Sequence, residues 1–208
     1  NNQLMIKIIA LHGLIGSGKT TALKIFSKFE NITTISCDLT VDEILKIKHV
    51  ADKLINHYGE IVTNLDNSIN RGKIKNIIFS STTERIWLEN LIHPLVRKMI
   101  KSKIENAKSN SKYIVIEIPI ITSENVQFYN FSRICIIRAN INQCIVRAQD
   151  RDKLIKHALI KNILSEQIHK MKGIYSLKPV DLIYNNRNIN SFIQKITKLH
   201  KYYVDLKD

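Results

Sequence analysis

Eight residues near the start of the chain, Gly13-Leu14-Ile15-Gly16-Ser17-Gly18-Lys19-Thr20, have the types and spacing to hold a polyphosphate. They match G-x-x-x-x-G-K-S/T, the P-loop motif. Three of the chain's six glycines fall here, where the backbone must wrap a ligand closely and present its N–H groups without a crowding Cβ. Lys19 supplies a point charge for β- and γ-phosphates, and the Thr20 hydroxyl can ligate Mg²⁺. Thr21 extends the same set by one residue. The motif implies a nucleoside triphosphate and Mg²⁺, and leaves the acceptor open.

Two acids stand at sites where such chemistry needs them. Asp38 follows the β-branched run Ile32-Thr33-Thr34-Ile35-Ser36, so it falls at the C-terminal end of a strand, the edge where open α/β sheets bind ligands. There it can be a general base or the N-cap of the next helix. Glu117 closes the apolar run Tyr113-Ile114-Val115-Ile116. It can serve a metal, directly or through water, or be a structural acid near a strand end.

The elements that position these residues follow from the apolar periodicity. Met5 to Leu11 reads as a buried strand leading into the loop, and Thr21 to Phe26 as the helix leaving it, its positive end aimed at the phosphates. Strands are expected at 32–36, 113–119, 133–138 and 181–184. Asp42 to Tyr58 carries one helical stripe. Thr83 to Lys108 carries a longer one, which Pro94 should kink or split. Asn142 to Asp150 and Lys153 to Lys172 read as two polar helices rich in basic residues. The last helix should bury Ile189, Phe192, Ile193, Ile196, Leu199, Tyr203 and Leu206. The alternation predicts an α/β chain, a single P-loop kinase-type domain in three α/β/α layers around a five-stranded parallel sheet. Its core is about 5–38, 109–142 and 180–208. A helical insertion of about 39–108 is expected to close over one side of the sheet, and a helical lid spans about 143–179.

Composition sets wider bounds. The hydrophobic share of 44% and charged share of 24% are those of a globular protein. No apolar run reaches the ~18 residues a membrane span needs. The short apolar N-terminal run is not expected to be a signal peptide. Cys37, Cys135 and Cys144 lack metal spacing and read as reduced thiols of a cytoplasmic protein. The formal charge of +14 admits a nucleic-acid partner. The lysines, however, are spread along the chain, as a Lys-, Ile- and Asn-rich composition from an AT-rich genome would leave them, and no specific nucleic acid is expected.

Several short motifs, in order, resemble the dephospho-coenzyme A kinase family. The loop is close to that family's G-G-I-G-S-G-K-S/T. Ile35-Ser36-Cys37-Asp38 resembles I-D-A-D, Ile69-Asn70-Arg71 falls at L-D-R, and Trp87-Leu88 with His93-Pro94 repeats W-L…H-P. Ile118-Pro119-Ile120-Ile121 with Glu124 resembles P-L-L-x-E with one residue inserted, Arg147 to Asp152 the lid motif R-x-x-x-R-D, and Asp181 to Asn185 D-x-I/V-x-N. The resemblance covers about Met5 to Tyr203. It implies transfer of the γ-phosphoryl of ATP to the ribose 3′-hydroxyl of dephospho-coenzyme A, with Asp38 as catalytic base. It also implies Arg147 and Arg151 closing over the phosphates, and Arg71, His93 and Pro119 toward the acceptor. Departures are Ser36, Leu14 and Asn70 in place of Asp, Gly and Asp, Lys170 where a lid arginine is common, and Arg187 for a glycine. The stretch A-R-x-V/L-x-x-P-G after the base is absent. The alternatives are another P-loop nucleoside or nucleotide kinase with a changed acceptor, a P-loop nucleic-acid binder, or a degenerate binder without activity. A monomer or small homo-oligomer is expected.

Overall fold

The computed structural model describes residues 6–151, 153, 157–171 and 173–206. Met5 at the head of the first strand, Asp152 at the end of the lid motif, and residues 154–156 and 172 of the expected lid helix lie outside the described residues. The chain divides into two compact units, Asn1–Ser36 with Asn106–Asp208, and Cys37–Glu105.

The first unit is built on five parallel strands: β1 (Lys7–Gly13), β2 (Ile32–Ser36), β3 (Tyr113–Glu117), β4 (Arg133–Arg138) and β5 (Val180–Tyr184). Their order is β2-β3-β1-β4-β5, and every pairing is parallel. Purely parallel strands are buried on both faces, so their sequences are apolar runs without alternation. All five residues of β3 are buried. One face packs Ile9, Leu11, Val115, Cys135 and Ile137 against Phe26 of α1 (Lys19–Phe26) and Phe192, Ile196 and Tyr203 of α9 (Ile189–Asp205). The opposite residues, Ile8, Ala10, Ile114, Ile116, Ile134 and Ile136, are buried as well. Ile189 and Ile193, expected inside, are 53% and 39% exposed. The inward stripe of α9 is narrower than its apolar content, because Phe192, Ile196 and Tyr203 already fill the sheet face.

A half-buried network anchors the edge of the sheet. Arg133 on β4 makes two hydrogen bonds of 2.8 Å to the Asp181 carboxylate on β5, and the Tyr203 hydroxyl donates to the same group at 2.8 Å. Paired charge and a phenol here satisfy one another, as burial requires. Burial pushes the Cys135 thiol up to about 12, which keeps it a neutral core residue.

The second unit holds α2 (Cys37–Leu45), α3 (Lys48–Tyr58), α4 (Arg71–Ser80) and most of α5 (Thr82–Ala107). The single stripe expected over 42–58 is divided. Ile47 is extended at φ −72°, ψ 121° and starts a new helix, while Ile44, Val50 and Leu54 keep the apolar face buried across the break. Pro94 does not divide α5. One helix runs through it, since a proline removes one N–H bond and the remaining turns hold the rest. Asn70, which departs from the resembled pattern, caps α4: its side chain accepts from the Lys73 N–H at 3.0 Å. Asparagine serves as well as aspartate there. His57 stacks on Trp87 at 3.7 Å and bonds Glu84 at 2.7 Å, tying α3 to α5.

The remaining helices, α6 (Ser123–Tyr129), α7 (Ile141–Arg151) and α8 (His157–Lys170), belong to the first unit. Cys144, Ile145 and Ala148 of α7 pack with Ile160 and Leu164 of α8.

Candidate active site

The glycine loop leaves β1 at Gly13 and enters α1 at Lys19, so the strand–loop–helix context expected of the motif is present. Gly16 has φ +73°, and a Cβ there would meet the Cys144 carbonyl oxygen at 2.1 Å. Gly18 has φ +104°, and its Cβ would meet Asn185 Nδ2 at 2.4 Å. Both positions exclude side chains, by backbone conformation and by the close approach of α7 and of the turn after β5. Leu14 has no positive φ. It packs with Ile15 against the α7–α8 cluster, so the residue that replaces a glycine anchors the loop to these helices.

Lys19 Nζ donates to the carbonyls of Gly13 at 2.8 Å and Leu14 at 3.1 Å. That holds the ammonium over its own loop, where it can exchange carbonyl oxygens for phosphate oxygens. Thr20 Oγ1 donates to Glu117 Oε1 at 3.2 Å, and Ser36 Oγ donates to Glu117 Oε2 at 3.3 Å. Glu117 is 6% exposed. Hydroxyls from α1 and β2 thus orient its two oxygens, and Ser36 explains its own departure: a second carboxylate there would face Glu117 with like charge. Thr21, next to Thr20 on α1, is exposed.

Asn185 joins the loop and α7. Its Nδ2 donates to the Ser17 carbonyl at 2.9 Å, and its own carbonyl accepts from Arg147 Nη2 at 3.1 Å. On the other flank, Gln167 Oε1 of α8 accepts from the Ile15 N–H at 2.8 Å. Three buried polar side-chain atoms have no partner among the described residues: Ser17 Oγ, Gln143 Oε1 and Arg147 Nη1. All three belong to the loop or to α7. An unmet buried polar atom costs about 1–3 kcal/mol, so their clustering marks a place prepared for a ligand. Arg151 ends α7 and is exposed.

His12 sits directly before Gly13 and is 4% exposed. Its Nδ1 lies 3.1 Å from the Ile118 carbonyl. Burial pushes its pKa down to about 4, against the pull of the Ile118 carbonyl and with help from nearby Lys19. It lines a small pocket with Pro119, Gln167 and Lys170. Pro119 itself is exposed, two residues past β3.

In the second unit, Asp38 is the second residue of α2, with its side chain 68% exposed. Arg71, first residue of α4, donates Nη2 to Asp38 Oδ1 at 2.8 Å and Nη1 to Asp42 Oδ1 at 2.8 Å and to the Asp38 carbonyl at 3.2 Å. Burial works against the charge of Arg71, and the two carboxylates outweigh it and raise its pKa. His93 is exposed midway along α5.

The structure therefore brings together Gly13 to Thr20, Glu117 and Arg147 in one unit, and Asp38 with Arg71 in the other. His12, Gln143, Asn185 and Gln167 were not singled out as site residues. Asn185 lies in a recognisable motif and Gln143 one helical turn before Arg147. For His12 the sequence offers only its place next to Gly13.

The dephospho-CoA kinase family model matches residues 7–190. The chain belongs to this family. It is 35% identical over 204 residues to a dephospho-CoA kinase of Buchnera aphidicola subsp. Schizaphis graminum, covering 97% of this chain and 94% of that protein. A dephospho-CoA kinase of Blochmanniella pennsylvanica is 32% identical, over 96% of this chain and 93% of its own. Among solved structures, the dephospho-CoA kinase of Campylobacter jejuni superposes with a TM-score of 0.66 at 21% identity, covering 96% of this chain and 98% of that one. That likeness shows the shared P-loop kinase fold.

Proposed function

We propose that this chain transfers the γ-phosphoryl group of ATP to the ribose 3′-hydroxyl of dephospho-coenzyme A, giving ADP and coenzyme A. The observation that carries the reading is the family match across residues 7–190. The geometry of the loop supports its donor half.

The loop amides from Gly13 to Thr21 and the Lys19 ammonium hold the β- and γ-phosphates. Arg147 offers Nη1 to charge that develops as the phosphoryl group moves, with Arg151 beside it. Asp38 accepts the proton of the 3′-hydroxyl while the new P–O bond forms and the bond to the ADP oxygen breaks. Arg71 fixes the Asp38 carboxylate through its 2.8 Å bond. Arg71, His93 and Pro119 contact the acceptor, and residues 39–108 form its binding region. Thr20 and Glu117 present a hydroxyl and a carboxylate, hard oxygen donors of the kind Mg²⁺ takes. Thr20 would ligate directly and Glu117 through water, and the bound ion would offset phosphate charge. No helix among the described residues is long and apolar enough to cross a membrane. The buried thiols of Cys37, Cys135 and Cys144, which form no disulfide, suit a cytoplasmic enzyme with small-molecule substrates.

The test supplies Mg-ATP with dephospho-coenzyme A, and in parallel with nucleosides and nucleoside monophosphates. ADP is followed by a coupled assay and coenzyme A by mass. The expected result is coenzyme A formed one for one with ADP. ADP release with a nucleoside monophosphate, and none with dephospho-coenzyme A, would move the chain to the changed-acceptor alternative.

A further inference from the structure

Gln143 and Arg147 stand four residues apart on α7, so their side chains share one helix face about 6 Å apart along the axis. Both lean on the turn after β5. Arg147 Nη2 donates to the Asn185 carbonyl at 3.1 Å, and Gln143 Nε2 reaches the Asn186 carbonyl at 3.4 Å. Each then has one buried polar atom left without a partner, Arg147 Nη1 and Gln143 Oε1. The amide orientation is set by its neighbour, since the reverse would point an oxygen at the Asn186 carbonyl. This face also abuts the glycine loop: the Cys144 carbonyl fills the space a Cβ on Gly16 would need. Asn186 is exposed, so a ligand can enter from that side.

The pair is chemically asymmetric. Arg147 offers a cationic donor and Gln143 a neutral acceptor. A ligand that satisfies both is an anion carrying an O–H or N–H group roughly one helical turn away. A nucleoside triphosphate has that layout, with phosphates at one end and a ribose hydroxyl or base amine beyond.

We propose that Gln143 Oε1 selects the phosphoryl donor by accepting a hydrogen bond from its nucleoside half. This rests on the reading that the triphosphate lies along the glycine loop and Arg147. If the donor group is an exocyclic amine at position 6 of a purine, Gln143 favours ATP over GTP, whose 6-carbonyl would oppose another acceptor. If it is a ribose hydroxyl, Gln143 distinguishes ribo- from deoxynucleotides.

Steady-state kcat/KM is measured for the wild type, Gln143→Leu and Gln143→Glu. The donors are ATP, GTP, purine riboside triphosphate, 2′-deoxyATP and 3′-deoxyATP. The wild type should prefer ATP about tenfold over either the two base analogues or one deoxy analogue, the scale of one buried hydrogen bond. Gln143→Leu should lose that preference, and Gln143→Glu, which keeps an acceptor but turns its other oxygen toward the Asn186 carbonyl, should lower kcat/KM for every donor while keeping their ranking. If Gln143→Leu fails to fold, Gln143→Met carries the same test. A wild type that treats all five donors alike overturns the proposal, as does a Gln143→Leu that keeps every preference. Binding of inorganic tripolyphosphate tests the underlying reading separately. Unchanged affinity in Arg147→Ala would remove the phosphate placement, whatever Gln143 does.

Discussion

In the unit of residues 1–36 and 106–208, three buried polar atoms beside the glycine loop stand without partners among the described residues. In the unit of residues 37–105, the candidate acid Asp38 is already held by Arg71, and Arg71 by Asp42 as well. The first arrangement gains bonds when a triphosphate arrives, in exchange for the carbonyl contacts of Lys19 and the bond from the Ile15 N–H to Gln167. The second is satisfied in itself and orients a carboxylate that remains 68% exposed. A donor site prepared by unmet hydrogen-bonding capacity and an acid prepared by a fixed partner are two ways to limit reorganisation during reaction. They fail differently when mutated.

On the donor side, the largest effect should come from Lys19→Ala. Removing the one ammonium over the loop should lower kcat/KM about a thousandfold, comparable to losing a strong transition-state donor. A loss below tenfold would mean the loop binds phosphate by its amides alone. The check is steady-state kinetics with ATP varied at saturating acceptor.

His12 sharpens the comparison through stability. Burial holds it neutral in the fold, with its pKa pushed down to about 4, whereas in the unfolded chain it titrates near 6.5. The unfolded state therefore binds more protons between those values, and stability rises with pH there. The contribution is complete above about 6.5 and is lost as pH falls toward 4, by about 3 kcal/mol in all. Urea denaturation across this window should show His12→Gln with a shallower acid decline than the wild type. Parallel curves would mean that His12 takes up its proton in the fold without resistance.

The smallest effect should be that of Arg71→Ala. Asp38 would keep its place on α2 but lose its partner, so kcat should fall about tenfold, on the scale of one charge-assisted bond, with ATP affinity unchanged. Arg71→Lys should recover only part, because an ammonium cannot span Asp38 and Asp42 as the guanidinium fork does. Full activity in Arg71→Ala would show that the ion pair plays no part in orienting the acid.

The first unit was largely readable in the sequence, and the second only in outline. The five strands, the loop and the alternation with helices follow from local apolar runs and glycine spacing, which report a parallel sheet directly. The division at Ile47 is invisible to periodicity because Ile44, Val50 and Leu54 continue one apolar stripe across it. Of the two outcomes expected at Pro94, a kink or a split, the split does not occur, and one helix runs through it. The exposure of Ile189 and Ile193 depends on how much sheet face remains for α9 to cover. Asn185, Gln143 and Gln167 act through contacts spanning 38 to 168 residues of sequence, as the Asn185–Ser17, Arg147–Asn185 and Ile15–Gln167 bonds illustrate. Apart from the motif that ends in Asn185, such contacts leave no local pattern. Two departures from the family pattern became intelligible only with partners in view, Ser36 on Glu117 and Asn70 as the cap of α4.

The division of roles is tested most directly by measuring kcat and the ATP dissociation constant together in Asp38→Asn. The amide keeps the size of the side chain and its acceptor for Arg71, and removes the base. The account predicts that kcat falls about 10²- to 10⁴-fold while ATP binds within about twofold of the wild type. A weakened ATP affinity with kcat largely intact would contradict it, and would make Asp38 part of the donor site.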